Sequence, residues 1–386
     1  MQTKPVVSRA KAYLKVRHKA VRDAMKQLKL DGLLLTHPPD LAYLTNFTGD
    51  DSVGLITEKG FYLATDFRYQ EQAEIEAGWL SIHIKENRIV DTIAKMIKET
   101  KADRVGFEAN FTTFGQIDAI DRSVKELKKG SPNGDSRELQ LVPLEDVLVN
   151  IRKVKDDNEI DLVRKSIDIA QQAFEAIRPE IQPGQTENWL AGQLIAELRS
   201  RGASGTSFPP IIAAGANSSL PHYRPGEKEV TLLKDQPVLI DWGGVYRGYC
   251  SDMTRMIMLG RVSPKIKEIY KIVLEAHDAA IAFLRPGVTT LQADRVARDI
   301  IEKAGYGKEF GHGLGHGLGR DIHELPRVSK WTAEEELRHG MIVTVEPGIY
   351  IPGEGGVRIE DDVLITHSNH EVLSTLDRSF EGCHFE

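Results

Sequence analysis

Apolar residues recur at helical spacing over residues 9–30, and three short apolar runs follow at residues 33–35, 53–56 and 61–64. A period near 3.6 residues predicts an amphipathic helix, whereas short apolar runs bounded by polar residues predict strands. The same alternation of helical and strand patterns continues to about residue 142. These patterns predict an α/β domain at the N-terminal end of the chain.

A turn-rich segment, Gly-Ser-Pro-Asn-Gly-Asp-Ser at residues 130–136, predicts a surface loop near the end of this domain. The charged segment at residues 152–159, Arg-Lys-Val-Lys-Asp-Asp-Asn-Glu, then opens a long amphipathic helix. We place a domain boundary near residue 150. It divides the chain into an N-terminal domain, residues 1–150, and a C-terminal domain, residues 151–386.

The C-terminal domain carries one pattern twice. A helix ends at Pro-Gly-Gln-Thr (183–186), a second helix follows, and a hairpin carries Asp241 and Asp252. Later a helix ends at Pro-Gly-Val-Thr (286–289), a second helix follows, and paired strands carry Glu346 and Glu360. The corresponding positions lie 103, 105 and 108 residues apart. We therefore predict an α+β domain whose two halves, related by a pseudo-twofold axis, bring four carboxylates to one cleft.

The four acidic residues could be solvated loop side chains, which is the usual environment of a single Asp or Glu. However, Asp241 follows the apolar run Val-Leu-Ile, and Glu346 follows Met-Ile-Val-Thr-Val, so each ends a strand with the composition of a buried one. Carboxylates that are buried close together raise one another's pKa values unless cations compensate them. Two divalent ions would neutralise four carboxylates.

The segment Gly-His-Gly-Leu-Gly-His-Gly-Leu-Gly at residues 311–319 supplies imidazole donors, His312 and His316. Imidazole together with carboxylates suits Mn, Co, Fe or Zn better than Ca. A phosphate cradle is the competing interpretation, but the segment has no GxGxxG register and the chain has no GxxxxGK[ST] motif. The chain also lacks HExxH and GxSxG motifs. We expect the glycines to let the backbone approach the metal site closely.

Composition and charge restrict the possible partners. The net charge is −7, and the basic residues are scattered, so no basic stripe indicates a nucleic-acid surface. The chain has neither a signal-peptide pattern at its start nor a stretch of about 18 apolar residues, so we expect no membrane partner. Two cysteines are too few for a disulfide framework. We expect a cytoplasmic protein.

These motifs resemble those of the metallopeptidases with the pita-bread fold, which include Xaa-Pro aminopeptidases, Xaa-Pro dipeptidases (prolidases) and methionine aminopeptidases. The matching segments are Val-Leu-Ile-Asp-Trp-Gly-Gly around Asp241, Tyr-Cys-Ser-Asp-Met-Thr-Arg around Asp252, His316 followed seven residues later by His323, Thr-Val-Glu-Pro-Gly-Ile-Tyr around Glu346, and Val-Arg-Ile-Glu-Asp-Asp around Glu360. The resemblance covers essentially the whole chain. It implies an α/β creatinase-like N-terminal domain followed by an α+β pita-bread catalytic domain.

The resemblance also implies two divalent metal ions, with manganese expected first and cobalt or zinc as alternatives. In this arrangement Asp241 chelates one ion, and His316 and Glu346 hold the other. Asp252 and Glu360 bridge both ions.

Further roles are implied by the same resemblance. Glu346 would take and return the proton during hydrolysis, and His222 and His323 would reach the substrate. His222 lies nineteen residues before Asp241, slightly farther than the family pattern predicts, so its loop is expected to be longer. His312 would line the pocket near the substrate carbonyl.

Arg358 lies two residues before Glu360. On a strand this spacing places both side chains on the same face, so we expect Arg358 to hold the Glu360 carboxylate. The alternative is a surface ion pair.

The N-terminal domain of about 150 residues distinguishes the chain from methionine aminopeptidases of this fold. It resembles the domain of Xaa-Pro enzymes, which implies a homodimer and a peptide substrate with proline at its second position. We predict an Xaa-Pro aminopeptidase, and an Xaa-Pro dipeptidase (prolidase) is the alternative. A metal-free pita-bread binding module and a creatinase-like C–N hydrolase are more distant alternatives, and the intact set of ligand positions argues against both.

Overall fold

The computed structural model describes residues 7–129, 138–224 and 229–385. The chain divides into two compact units, of which the first ends at Ile151 and the second begins at Arg152. No helix in these described ranges is both long enough and apolar enough to cross a membrane.

Helices and strands alternate through the first unit. Its helices are α1 (Val7–Gln27), α2 (Pro38–Thr45), α3 (Gln70–Ala77), α4 (Ile89–Thr100), α5 (Phe114–Lys129) and α6 (Val147–Arg152), the last of which ends one residue into the second unit. Its strands are β1 (Gly32–Leu35), β2 (Val53–Thr57), β3 (Phe61–Thr65), β4 (Ser81–Ile84), β5 (Arg104–Glu108) and β6 (Gln140–Leu144). They form one mixed sheet in the order β4-β3-β2-β1-β5-β6. The predicted loop at residues 130–136 lies outside the described residues.

Strand β1 shows why this sheet is buried on both faces. Successive side chains of a strand point to opposite faces, so Leu33 and Leu35 join one hydrophobic cluster and Leu34 joins another. Helix α1 contributes Val21 and Met25 to the first cluster, and helix α4 contributes Ile93 to the second. Helices therefore cover both faces of the sheet, as the sequence pattern predicted for an α/β domain.

Helices and several small sheets build the second unit. Its helices are α7 (Asp157–Ile177), α8 (Glu187–Ser200), α9 (Pro264–Phe283) and α10 (Thr290–Lys303). Its strands are β7 (Gly205–Thr206), β8 (Ile211–Ala214), β9 (Gln236–Trp242), β10 (Gly244–Tyr246), β11 (Tyr249–Cys250), β12 (Met253–Leu259), β13 (Gly315–Gly317), β14 (Glu324–Val328), β15 (Ile342–Val345), β16 (Gly348–Ile351), β17 (Gly355–Arg358), β18 (Asp361–Ile365), β19 (His370–Val372) and β20 (His384–Phe385).

Two sheets of this unit hold the acidic strands. One has the order β20-β12-β9-β8 and the other β14-β13-β15-β18-β19. The unit also contains two smaller sheets, β11-β10-β7 and β16-β17. Among its described residues, one hydrophobic cluster includes side chains of α7 and α8, and another includes side chains of α9 and α10.

The internal repeat is confirmed by equivalent contacts in the two halves. Thr186 caps α8 and Thr289 caps α10, each through its side-chain hydroxyl. The preceding glycines also bond in the same way, Gly184 N–H to the Leu232 carbonyl at 2.8 Å and Gly287 N–H to the Leu337 carbonyl at 3.0 Å.

The charged segment after the boundary ends one helix and begins the next. Helix α6 ends at Arg152, and α7 begins at Asp157. Asp156 and Glu159 form a capping box at this start, in which each side chain accepts from the other residue's backbone N–H. The long helix predicted for this region is therefore present, and it begins five residues after Arg152.

Candidate active site

The antiparallel strands β9 and β12 present the first two acidic residues. Asp241 in β9 pairs with Thr254 in β12, and Asp252 directly precedes β12. Both are buried, with exposed fractions of 8% and 5%. The hairpin predicted from the sequence therefore places both carboxylates in the interior of the second unit.

The second pair of acidic residues comes from the other half of this unit. Glu346 directly follows β15, and its N–H donates to the Leu314 carbonyl at 2.8 Å. Glu360 lies between β17 and β18, and its N–H donates to the Thr254 carbonyl at 3.2 Å. The Thr254 hydroxyl in turn donates to Glu360 Oε2 at 2.7 Å. One threonine of β12 thus joins the acidic elements of the two halves.

His316 faces these carboxylates from β13. Its Nδ1 lies 3.0 Å from the Gly317 carbonyl, which can only accept, so the proton is on Nδ1 and the Nε2 lone pair is free. Nε2 lies 3.5 Å from Asp252 Oδ2 and 3.4 Å from Glu346 Oε1. Burial, with a smaller contribution from the neighbouring His323, lowers the pKa of His316 to about 3. The imidazole is therefore neutral, as a metal ligand must be.

The glycines beside His316 allow neighbouring strands to pack closely against β13. A Cβ at Gly315 would lie 2.0 Å from the Thr344 carbonyl oxygen, and a Cβ at Gly317 would lie 2.2 Å from the Leu325 carbonyl oxygen. Because neither position has room for a side chain, the neighbouring strands β15 and β14 can approach the backbone of β13. These two glycines are therefore required for the close packing of the three strands.

Burial and mutual repulsion disfavour the ionised forms of the acidic side chains. Burial raises the pKa of Asp252 well above its usual range, and the charges of Glu360 and Asp241 add to this effect. Burial likewise raises the pKa of Glu360, with further contributions from Glu346 and Asp241. It raises the pKa of Glu346 to about 7, although the Arg358 cation opposes this shift. A cluster with these properties is stabilised by bound cations.

The donors at this cluster fit divalent transition metals. One ligand atom each from Asp252, His316 and Glu360 lies within 4.8 Å of the others. Asp241 Oδ1 is buried and has no hydrogen-bond partner in the described ranges. One imidazole nitrogen among carboxylate oxygens is a donor set that suits Mn, Co, Fe or Zn.

The structure corrects the predicted partner of Arg358. Its Nη2 donates to Asp241 Oδ2 at 2.5 Å, and its Nε donates to the Thr254 hydroxyl at 3.0 Å. Among the hydrogen bonds of the described residues, its connection to Glu360 runs through that hydroxyl. The alternative of a surface ion pair is also wrong, since Arg358 is 4% exposed. Asp241 lies on β9, which belongs to a different sheet from β17. Residue spacing along one strand could not identify this partner.

His312 lines the cavity, but both of its ring nitrogens have partners within the protein. Nδ1 lies 2.8 Å from the Gly313 carbonyl, so it carries the proton, and Nε2 accepts from the Tyr350 hydroxyl at 2.9 Å. Burial, with the Arg358 cation, lowers the pKa of His312 to about 4. Tyr350 also accepts from Arg358 Nη1 at 2.9 Å. The sequence did not single out Tyr350, although it ends the motif around Glu346, four residues after that carboxylate.

The acidic cluster opens into a cavity of about 570 Å³. His222 and His323 both line it and are exposed to it, and the ring centroids of His323 and His316 are 4.4 Å apart. Burial and the Arg327 cation lower the pKa of His323. The remaining lining residues that the sequence did not single out include Phe208, Ile211, Tyr223, Arg224, Arg327, Ser329 and Thr332. Arg327 follows His323 by four residues. This proximity to a predicted site residue could have indicated from the sequence that Arg327 lies near the site.

Two profile matches cover most of the chain. Residues 161–367 match the metallopeptidase family M24, and residues 17–154 match the creatinase/prolidase N-terminal domain. The chain belongs to the metallopeptidase family M24. The predicted resemblance, the two-domain fold class and the prediction of a metallo-exopeptidase are confirmed, and M24 membership implies divalent metal ions at the acidic cluster.

Several M24 relatives match along nearly their whole length. The chain is 34% identical to an Xaa-Pro dipeptidase from Pyrococcus horikoshii, over 93% of this chain and 97% of that protein. It resembles the structure of an Xaa-Pro dipeptidase from Bacillus anthracis with a TM-score of 0.87 and 38% identity, covering 95% of this chain and 99% of that one. It also resembles an X-Pro aminopeptidase from Thermotoga maritima, with a TM-score of 0.82, 32% identity, and coverage of 92% and 99%.

Proposed function

We propose that this M24 enzyme hydrolyses the Xaa-Pro bond of dipeptides, using two divalent metal ions. The proposal that the Xaa-Pro bond is cleaved is supported by the similarity to proteins named as Xaa-Pro peptidases. The observation that carries the choice of dipeptides is a pair of cations in the cavity, Arg224 and Arg327, that form no ion pair with another described residue.

Both arginines are exposed and line the same cavity as the acidic cluster. Neither guanidinium has an ion-pair or hydrogen-bond partner in the part of the chain that the structure describes. A guanidinium binds a carboxylate through paired hydrogen bonds, and in a dipeptide the C-terminal carboxylate belongs to the residue directly after the scissile bond. A longer peptide places an uncharged amide at this position. The unpaired cations therefore favour dipeptides.

The proposed ligand roles follow the family arrangement. Asp241 would hold one ion, His316 and Glu346 the other, and Asp252 and Glu360 both. When bound, the two ions would polarise the scissile carbonyl and make water nucleophilic at neutral pH. Arg358 supports this arrangement from the protein side, because its bond to Asp241 Oδ2 orients the carboxylate and leaves Oδ1 free.

Protein groups at the cavity wall would handle the proton and the developing charge. Glu346 is the proposed proton carrier, and with 18% of its side chain exposed it is more accessible than Asp241 at 11% or Asp252 at 7%. His222 and His323 are proposed to donate hydrogen bonds to the tetrahedral intermediate or to the proline nitrogen as it leaves. Their exposure to the cavity allows both to reach a substrate.

The Xaa-Pro aminopeptidase predicted from the sequence is the second candidate, and the resemblance to the Thermotoga maritima X-Pro aminopeptidase favours it. The two candidates differ in the group that each accepts on the C-terminal side of proline. A dipeptidase requires the free carboxylate, whereas an aminopeptidase cleaves Xaa-Pro-Xaa tripeptides at least as well.

The test compares an Xaa-Pro dipeptide, its C-terminal amide and an Xaa-Pro-Xaa tripeptide, using protein that has been chelated and resupplied with Mn, Co or Zn. We expect Arg327→Met to lower kcat/KM for the dipeptide roughly 10- to 100-fold, the loss of one charge-assisted hydrogen bond, with little change for the amide. Arg295→Met is the matched control, since Arg295 is exposed and lies outside the cavity lining. Equal losses on dipeptide and amide, or preferred cleavage of the tripeptide, would contradict the dipeptidase.

Other predictions from the sequence belong to the same proposal. We propose domains at residues 1–150 and 151–386, manganese as the bound metal, a homodimer and a cytoplasmic location. The choice of manganese is tested by finding which metal restores most activity to chelated protein. The homodimer is tested by measuring the mass of the protein in solution.

A further inference from the structure

Helix α10 carries a buried ion pair that the proposed chemistry does not use. Arg298 Nε and Nη2 each lie 2.8 Å from a carboxylate oxygen of Asp294, one helical turn away. Asp294 has no exposed surface, and Arg298 is 4% exposed. The guanidinium also lies over two aromatic rings, 4.2 Å from the Phe310 centroid and 5.0 Å from that of Trp331. Ring stacking and the bidentate pair together hold Arg298 in one orientation.

The ion pair holds three backbone groups of the segment that leads into β13. Arg298 Nη1 donates to the Phe310 carbonyl at 3.0 Å, and Nη2 donates to the His312 carbonyl at 2.8 Å. Asp294 Oδ1 accepts from the Leu314 N–H at 3.0 Å. We call Asp294 and Arg298 the α10 clamp.

The held segment needs an external anchor because of its composition. Residues 311–319 contain five glycines, which have the largest backbone freedom of any residue. A Cβ at Gly311 would have no neighbour within 4 Å, so packing does not restrict that position. Hydrogen bonds from the α10 clamp therefore supply the restraint on the segment at its start.

The internal repeat supplies a comparison within the chain. Helices α8 and α10 begin after equivalent capping threonines, Thr186 and Thr289. Counting from these caps, the positions of Asp294 and Arg298 are occupied in α8 by Ala191 and Ile195. The clamp is thus absent from the half that has no glycine-rich segment, so the repeated fold does not itself require it.

A chain of hydrogen bonds connects the held segment to the acidic cluster. The His312 imidazole accepts from Tyr350, Tyr350 accepts from Arg358, and Arg358 donates to Asp241, with distances of 2.9, 2.9 and 2.5 Å. The His312 carbonyl, held by Arg298, belongs to the residue that begins this chain. Displacement of His312 would remove the acceptor that orients the Tyr350 hydroxyl.

We propose that Asp294 and Arg298 are positioning residues, which act through His312 to orient the Tyr350–Arg358–Asp241 chain at the acidic cluster. This inference rests on the proposed peptidase function of that cluster. A purely stabilising role is the opposing explanation, but a buried ion pair contributes little net stability compared with apolar side chains of similar volume.

A double-mutant cycle distinguishes the two explanations. Arg298→Met removes the bonds to both carbonyls while keeping an apolar stem over the rings. We expect kcat/KM for the Xaa-Pro dipeptide to fall roughly 10- to 100-fold, the size of effect that a displaced catalytic group produces. In a His312→Ala background the same change should cost less than about 2-fold, because the connecting residue is already lost. Metal content should stay at the level of the wild type.

The matched control is Arg201→Met. Arg201 forms an ion pair with Glu197 at the end of α8, also four residues apart, away from the cavity lining. It should leave kcat/KM unchanged. If Arg298→Met does not fold, Arg298→Lys replaces it in the cycle, since lysine keeps the charge but cannot reach both carbonyls and the carboxylate together.

Equal losses in the two backgrounds would overturn the inference in favour of a structural role. Failure of the wild-type enzyme to cleave any Xaa-Pro substrate would instead refute the proposed function. In that event amide hydrogen exchange of residues 310–316 tests the clamp independently. Faster exchange in Arg298→Met, with unchanged exchange in Arg201→Met, supports the restraint, and unchanged exchange in both contradicts it.

Discussion

The buried carboxylate of Glu324 allows a quantitative prediction about stability. Glu324 follows His323 and is 3% exposed. It forms ion pairs with Arg152 and with Lys155, the latter at 3.0 Å, and it accepts from the N–H groups of Arg320 and Asp321 at 3.0 and 3.1 Å. Burial alone would raise its pKa, but the two cations and the backbone donors lower it from 4.5 to about 2.

The free energy is obtained from this pKa. One pKa unit corresponds to about 1.4 kcal/mol, so the ionised carboxylate contributes about 3 kcal/mol to folding at pH 7. Because the folded pKa lies below the unfolded one, this contribution is complete above the unfolded value and is lost as the pH falls toward the folded one. It should fall to about half of its pH 7 value at pH 3. Breaking a buried ion pair by removing one partner costs a similar amount, about 3–5 kcal/mol.

Glu324→Gln tests this estimate, because glutamine keeps the volume and can still accept from the backbone donors. The assay is urea unfolding of chelated protein at pH 7 and pH 3, followed by tryptophan fluorescence, since three of the four tryptophans, Trp189, Trp242 and Trp331, lie in the second unit. Glu371→Gln is the control, because its ion pair with Arg164 is exposed and should contribute less than about 1 kcal/mol. A Glu324→Gln loss that is equal at the two pH values would refute the electrostatic reasoning and indicate lost packing instead.

Two further predictions concern the acidic cluster and its histidines. Asp252→Asn should abolish turnover while the far-ultraviolet circular dichroism stays native, because a neutral amide cannot bridge two cations; turnover by the folded variant would exclude the proposed two-metal arrangement. His323→Ala should lower kcat with unchanged metal content, measured by elemental analysis, since its imidazole faces the cavity from beside the proposed ligand His316. Loss of metal from this variant would show that His323 belongs to the ligand set.

Local sequence patterns were sufficient for the elements that carry the site. The apolar runs before Asp241 and Glu346 predicted strands; β9 ends one residue after Asp241, and β15 ends directly before Glu346. The repeated Pro-Gly-x-Thr segments predicted equivalent helix starts, and both threonines cap helices. These features depend on periodicity and on capping chemistry, which act over a few residues. The function class was predicted from five motif positions in one order, and M24 membership confirms it.

Side-chain contacts between residues that are far apart in the sequence could not be predicted in this way. The sequence placed Arg358 beside Glu360 through strand spacing, whereas the structure pairs it with Asp241, 117 residues earlier in the chain. It assigned His312 to the substrate pocket without its bonds to Tyr350 and Arg298, and it did not identify Arg224 and Arg327 as cavity residues.

There is a physical reason why some features could be predicted from the sequence and others required the tertiary structure. A sequence determines which residues end strands, which positions are apolar and which side chains can ionise, because these properties are local or belong to the residue itself. Which carboxylate receives an arginine, and which arginine is left without a partner, depends on how separate strands and helices pack. Only the tertiary structure decided that β12 joins the two acidic pairs through Thr254, and that α10 holds the glycine-rich segment.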